Sequence, residues 1–297
     1  MTLREISEIN MELDFRQFHK STTFIVGNDK HAGKTIFLKY ALRNLRARSY
    51  RPAYMSIGVD GEGRDLLDGV AKPTIIVQPD DLVITSAQCL ESSDAAYQIL
   101  NVFPQGTVLG RMVLVNITRS GFVELTGPEN NQQLSAILDY VQDETEADAV
   151  LVDGAVNRLS QVSSNHSSGF VMVMKVTASN LIQVAEQIRL LYLLNNLPSC
   201  SNHDTLPITG ALTESRLEAI PADCKAINIL DFTRVFLSYR QMQSLCDKYS
   251  VSIKNKFILR YFIVNLFDVA KAAFAKMLDG RISQHVVFNP FMEEAIC

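Results

Sequence analysis

The sequence predicts an α/β fold: a doubly wound, mostly parallel sheet with helices on both faces. Short apolar and β-branched runs alternate with segments whose apolar residues recur at helical spacing, a pattern typical of parallel sheets. The first run, Thr22–Val26, ends at a glycine-rich loop that leads directly into a helical pattern. Another run, 149–152, is followed at once by Asp153, which places an acid at the carboxyl end of a buried strand.

Each element is predicted from its local pattern in chain order. The segment 36–46 is predicted as a helix because Phe37, Leu38, Ala41, Leu42 and Leu45 recur at helical spacing with basic residues between them. The predicted strands are 22–26, 52–57, 74–77, 82–85, 111–117, 149–153, 169–175, 226–231, 259–266 and 285–288, and the other predicted helices are 134–141, 180–195 and 266–278.

The domain organisation follows from the absence of a convincing linker. We expect residues 1–20 to be a short helical lead-in and residues 21–297 to be a single domain, more irregular from about residue 200 onward.

Composition excludes several classes of function. The chain has 297 residues, 28 Lys plus Arg and 32 Asp plus Glu, so its net charge is −4. A binder of nucleic acid or of membrane surfaces would need a concentrated basic face, and we expect neither partner. The five cysteines are scattered without a CxxC pair, which argues against a disulfide framework and a thiolate metal site.

Targeting signals are not expected either. Acids interrupt the first ten residues, where a signal peptide needs an apolar run, and the apolar stretch 257–267 is too short and too polar to span a bilayer. We therefore expect a soluble cytoplasmic protein.

The glycine-rich loop, Gly27-Asn-Asp-Lys-His-Ala-Gly33-Lys34-Thr35, predicts a phosphate site for ATP or GTP. The usual pattern has four residues between the glycines, and this chain has five. Backbone N–H groups of such a loop point at the phosphates, Lys34 would bridge the β- and γ-phosphates, and Thr35 would bind Mg²⁺. The predicted nucleotide-binding residues are Gly27, Asn28, Asp29, Lys30, His31, Ala32, Gly33, Lys34, Thr35 and Ile36.

A metal-bound nucleotide also needs acids. Asp153 is the candidate for holding Mg²⁺ directly or through water, with a turn residue as the alternative. Asp60 lies in the polar loop after the second strand and would complete the metal site, unless it is a solvated loop acid. We therefore predict Thr35, Asp60 and Asp153 as metal ligands, and Lys34, Asp60 and Asp153 as catalytic residues.

The longer loop spacing resembles that of dethiobiotin synthetases, whose Gly-x-Asp-x-x-x-Gly-Lys-Thr pattern is matched through Asp29. This resemblance implies ATP-dependent activation of a carboxylate. Those enzymes usually carry Lys-Pro at the end of the second strand, where this chain has Met55 and Ser56. The missing charge disfavours ligase chemistry, because stabilising the transferring phosphoryl group is the main catalytic effect.

A wider set of motifs resembles the ATPase subunit of the reactivase for lysine 5,6-aminomutase. The loop matches its Gly-x-x-Lys-x-Ala-Gly-Lys-Thr pattern, although the residue after Thr35 is Ile36 where the family usually has Thr or Ser. The further matching segments are 56–62, 72–73, 85–87, 93–94, 109–111, 121–124, 127–128, 152–155 with Arg158, 210–213, 231–236 and 289–291.

This second resemblance implies a function. ATP with Mg²⁺ would drive the exchange of damaged cofactor on an adenosylcobalamin-dependent aminomutase, together with a partner subunit similar to mismatch-repair ATPases. The alternatives are a synthetase of the dethiobiotin type and a nucleotide-sensing binding module. A homodimer is compatible with the sequence, and the preference between ATP and GTP stays open.

Overall fold

The computed structural model describes residues 13–57, 74–154, 168–199, 205–256 and 258–291. Their contacts group into two compact units, one holding 13–173 with the segment from Phe291, and the other holding 174–290. The division falls inside a strand rather than near residue 200, and the single domain 21–297 stays a prediction.

The first unit contains the predicted alternation of strands and helices. Its strands are β1 (Thr22–Gly27), β2 (Pro52–Ser56), β3 (Thr74–Val77), β4 (Leu82–Ser86), β5 (Ala96–Thr107), β6 (Gly110–Arg119), β7 (Gly121–Glu124), β8 (Ala149–Asp153) and β9 (Ser168–Val176, which ends in the second unit). Its helices are α1 (Lys34–Ala47), α2 (Ala87–Glu91) and α3 (Asn131–Glu144). Of the expected helical lead-in, the described part holds a short 3₁₀ helix, Phe15–Phe18.

The sheet of this unit has the strand order β9-β1-β8-β2-β4-β6-β5. Neighbours from β9 to β4 are parallel, whereas β6 is antiparallel to both β4 and β5. The strands β3 and β7 form a separate antiparallel pair. The predicted α/β class with a mostly parallel central sheet is therefore confirmed.

Helix α1 connects β1 to β2 and packs one face against the sheet. The five residues that predicted it, from Phe37 to Leu45, are at most 1% exposed. Burying side chains of this kind contributes roughly 1.5–3 kcal/mol for each large one. The packing holds the start of α1, and hence Lys34 and Thr35, at the carboxyl ends of the parallel strands.

The second unit is described by itself. The strands β10 (Leu206–Ile208), β11 (Ala226–Ile229) and β12 (Ser250–Ile253) form a small parallel sheet, and β13 (Ile258–Leu266) pairs in parallel with β14 (Val286–Phe288). The helices are α4 (Leu181–Asn195), α5 (Glu214–Glu218), α6 (Tyr239–Lys248), α7 (Lys271–Ala275) and α8 (Gly280–Ser283), with a 3₁₀ helix at Phe232–Arg234.

The helix predicted at 266–278 was wrong in extent. Leu266 is the last residue of β13, and its N–H donates to Asn289 Oδ1 at 2.8 Å. Asp268 has a left-handed backbone with φ of 55°, which a continuous helix excludes. Only the five residues of α7 are helical there, although the apolar spacing matched a longer helix.

Among the residues that the structure describes, no helix is both long and apolar enough to cross a membrane.

Candidate phosphate and metal site

The loop between β1 and α1 is anchored at both ends. Gly27 is the last residue of β1, and the N–H of Asn28 donates to the carbonyl of Val173 in β9 at 3.1 Å. Ala32 is buried, whereas Asp29 is exposed and its Oδ1 accepts the N–H of Lys30 at 2.7 Å. The strand, loop and helix expected from the sequence therefore occur in that order.

The local geometry favours glycine at both positions, most strongly at Gly33. A Cβ at Gly27 would lie 3.2 Å from side-chain carbons of Lys34 and 3.3 Å from Cβ of Ala32, which would crowd the lysine. Gly33 has φ of 101°, a left-handed conformation that only glycine adopts readily. His31, also left-handed with φ of 61°, is exposed on the same loop.

The start of α1 offers backbone donors to an anion. Gly33 caps the helix without a side-chain hydrogen bond, and the N–H of Phe37 donates to its carbonyl at 2.9 Å. The amides of the first helical turn have no partner within a helix, and they carry the positive end of its dipole. This arrangement suits a phosphate, with the half-buried Lys34 beside it.

Asp153 lies next to this helix start because β8 is paired with β1. Ile25 and Asp153 are register partners, although they are far apart in sequence. The hydroxyl of Thr35 donates to Asp153 Oδ2 at 3.2 Å. The structure thus brings together Lys34, Thr35 and Asp153, three of the residues proposed from the sequence for this site.

The carboxyl group of Asp153 is only 9% exposed, and burial raises its pKa above the usual value of 3.8. The charge of Lys34 and the hydrogen bond from Thr35 act in the opposite direction and lower the pKa. Burial has the larger effect, so keeping this carboxylate charged costs free energy. A nearby cation would offset that cost.

Asp153 and Thr35 present oxygen atoms of the kind that Mg²⁺ binds. Magnesium takes oxygen ligands, commonly one or two carboxylates with phosphate oxygens and waters. Within the described residues, no group of three or more His, Cys, Asp or Glu side chains could hold a metal by itself. Asp60 lies outside the described residues. The set fits a nucleotide-bound magnesium.

Ile36 lies in the first turn of α1, and its apolar side chain is 56% exposed, so its backbone amide is the group that it can offer to a phosphate. Sequence reasoning did not assign a role to Gly154, whose N–H donates to the carbonyl of Ile25 at 3.1 Å and fixes β8 to β1. In the sequence, Gly154 directly follows the acid at the end of a predicted strand, and this position was the signal that could have pointed to its role.

Comparisons of the chain with known protein families, curated proteins and solved structures found no match.

Proposed function

We propose that this chain is a phosphate-loop NTPase that binds ATP with Mg²⁺ and hydrolyses it. We further propose, from the resemblance of its motifs, that it is the ATPase subunit of a reactivase for an adenosylcobalamin-dependent aminomutase. The observation that carries the ATPase proposal is the contact between Thr35 Oγ1 and Asp153 Oδ2, at 3.2 Å. A hydroxyl at a helix start beside a strand-ending acid is the pair of groups that phosphate-loop enzymes use for magnesium.

The strand order supports the same fold assignment. The chain leaves β1 towards β2 on one side and leaves β8 towards β9 on the other, so adjacent strands send their connections in opposite directions. In doubly wound sheets, ligands bind at the carboxyl ends of strands where the direction changes. The loop 27–35 and Asp153 both lie at that point.

Each residue has a distinct task in the proposed reaction. The amides at the start of α1 bind phosphate oxygens, and Lys34 neutralises the charge that develops on the transferred phosphoryl group. Thr35 and Asp153 would hold Mg²⁺, which supplies positive charge to the β- and γ-phosphates when it is bound. Because burial disfavours the charged form of Asp153, a bound cation would stabilise this carboxylate.

The end of β2 favours hydrolysis over carboxylate activation. Met55 is fully buried and Ser56 is half-buried, so neither supplies a positive charge beside the phosphates. A ligase of the dethiobiotin type would need such a charge for its phosphorylated intermediate.

The first experiment measures Mg²⁺-dependent phosphate release and nucleotide affinity, with ATP and GTP in parallel. Lys34→Ala is expected to lower hydrolysis about 100-fold or more, because one stabilising donor is lost from the transition state. Lys39→Ala is the matched control, since Lys39 lies on the exposed face of the same helix. Phosphate release that is unchanged by Lys34→Ala would refute the proposal.

The second experiment tests whether an adenosylcobalamin-dependent aminomutase is the enzyme that this chain reactivates. Cobalamin-inactivated aminomutase is incubated with this chain, the mismatch-repair-like partner and ATP, and recovery of turnover is followed. We expect recovery with the wild type and none with Lys34→Ala. No recovery despite Lys34-dependent hydrolysis would refute the reactivase function and leave the ATPase standing.

A further inference from the structure

The loop after β7 crosses the carboxyl ends of β4 and β2. Thr126 fastens it to β4, because its N–H donates to Thr85 Oγ1 at 3.1 Å and its hydroxyl accepts the N–H of Ser86 at 3.1 Å. All three residues are at most 3% exposed. This end of the loop is therefore fixed within the core.

The next residue, Gly127, lies against the backbone at the end of β2. A Cβ at this position would stand 1.9 Å from the carbonyl oxygen of Ser56, 2.8 Å from its carbonyl carbon and 3.0 Å from Cα of Ile57. Such distances are below any real contact, so a larger residue must displace one of the two backbones. Glycine is needed here for close approach rather than for an unusual φ.

The peptide group that Gly127 touches, between Ser56 and Ile57, is hydrogen-bonded to Asp153. Ser56 and Asp153 are register partners, and the N–H of Ile57 donates to the carbonyl of Asp153 at 2.6 Å. A Cβ at Gly154 would lie 2.8 Å from Cβ of Ile57, so this second glycine packs against the Ile57 side chain. The peptide between Ser56 and Ile57 is thus in contact with Gly127 and hydrogen-bonded to Asp153.

We propose that Gly127 is a positioning residue for Asp153. Its contact with the Ser56 carbonyl fixes the end of β2. The Ile57 amide, which is hydrogen-bonded to the Asp153 carbonyl, then fixes the position of Asp153 beside Thr35. This inference rests on the proposed function for its catalytic consequence, but its structural consequence is independent of it. Gly127 lies outside the loop 27–35, so we expect it to act on the position of Asp153 more than on nucleotide binding.

The test compares Gly127→Ala with Gly106→Ala. Gly106 is exposed, and a Cβ there would meet nothing within 4 Å, so it controls for the substitution itself. Three quantities are measured for each variant: kcat for ATP hydrolysis, ATP affinity, and hydrogen exchange at the Ile57 amide.

For Gly127→Ala we expect kcat to fall about 10- to 100-fold, the effect of misplacing a catalytic group by about 1 Å. ATP affinity should stay within about threefold, since the loop at the start of α1 keeps its donors. Exchange at the Ile57 amide should accelerate, while Gly106→Ala should match the wild type in all three measurements. Gly154→Ala, which meets a side chain rather than a carbonyl, is the milder second variant if Gly127→Ala does not fold.

Two results would overturn the inference. The first is a Gly127→Ala protein with both the kcat and the Ile57 amide exchange of the wild type. The second is general unfolding of both Gly127→Ala and Gly154→Ala, with equal losses of kcat and ATP affinity. If the wild type itself hydrolyses no nucleotide, the proposed function fails, and Ile57 exchange still tests the link to Asp153.

Discussion

Two buried aspartates lie at opposite edges of the same sheet and are treated differently by their surroundings. Asp81 precedes β4 at the amino ends of the parallel strands and is 1% exposed, whereas Asp153 ends β8 at the carboxyl ends and is 9% exposed. Asp81 accepts hydrogen bonds from Arg46 on both oxygens, from the Tyr54 hydroxyl at 2.8 Å and from the Gln78 N–H at 2.9 Å. For Asp153 the described side chains supply a single hydrogen bond, from Thr35 at 3.2 Å.

The difference separates a carboxylate that stabilises the fold from the one that we propose as a metal ligand. Asp81 is fully bonded and ties the last turn of α1 to the start of β4, with Arg46 also favourably placed at the negative end of the helix dipole. Its negative charge adds to burial in raising the pKa of Tyr54 well above the usual value. Within the part of the chain that the structure describes, Asp153 has one side-chain donor, Thr35, and lies near the charge of Lys34, an arrangement that would suit a metal–phosphate ligand.

The largest expected effect on stability is at Asp81, whose carboxylate accepts several hydrogen bonds. Asp81→Ala should lower the free energy of unfolding by about 3–5 kcal/mol, because it leaves the Arg46 guanidinium buried without its carboxylate. Urea denaturation measures the loss. Asp80→Asn, at the exposed neighbouring position with a left-handed backbone that asparagine tolerates, should change stability by less than about 0.5 kcal/mol. A small loss at Asp81 would mean that its hydrogen bonds do not hold the two elements together.

A smaller loss of stability is expected when one hydrogen-bond donor to the Asp81 carboxylate is removed. Tyr54→Phe keeps the buried ring but removes the hydroxyl at 2.8 Å from Asp81, and should cost about 1–2 kcal/mol in the free energy of unfolding. Tyr50→Phe is the control, since Tyr50 is only half-buried. Equal losses in the two variants would show that the Tyr54 hydroxyl adds nothing specific.

An effect of opposite sign is expected at Asp153. Since burial raises its folded-state pKa above 3.8, the protonated form is stabilised by folding, and that contribution is lost as pH rises through the folded-state pKa. Asp153→Asn should therefore match the wild type in acid and be more stable at neutral pH, by about 1.4 kcal/mol for each unit of pKa shift. The same variant should lose Mg²⁺-dependent hydrolysis.

Thermal unfolding from pH 3.5 to 7.5 in the absence of nucleotide would measure this difference. A less stable Asp153→Asn protein at neutral pH would place Asp153 in the same structural class as Asp81, and would remove the main electrostatic support for the proposed metal site.

Elements that are built from local patterns could be predicted from the sequence. The strand before the loop and the helix after it were found close to their observed bounds, because apolar periodicity reports burial over a few turns. The strand β5 was missed: its register against β6 shifts at three places, and such bulges interrupt the alternation by which strands are found. The amphipathic helix α6 was missed in the irregular later third of the chain.

The sequence by itself determined the glycine-rich loop between β1 and α1, together with the lysine and threonine that follow it, since all of these lie within one strand–loop–helix unit. Only the tertiary structure decided that Asp153 meets Thr35, that Gly127 lies on the Ser56 carbonyl, and that Asp81 accepts hydrogen bonds from Arg46, Tyr54 and Gln78. Those relations depend on strand order and register. They join residues far apart in the chain, whose pairing no local spacing encodes.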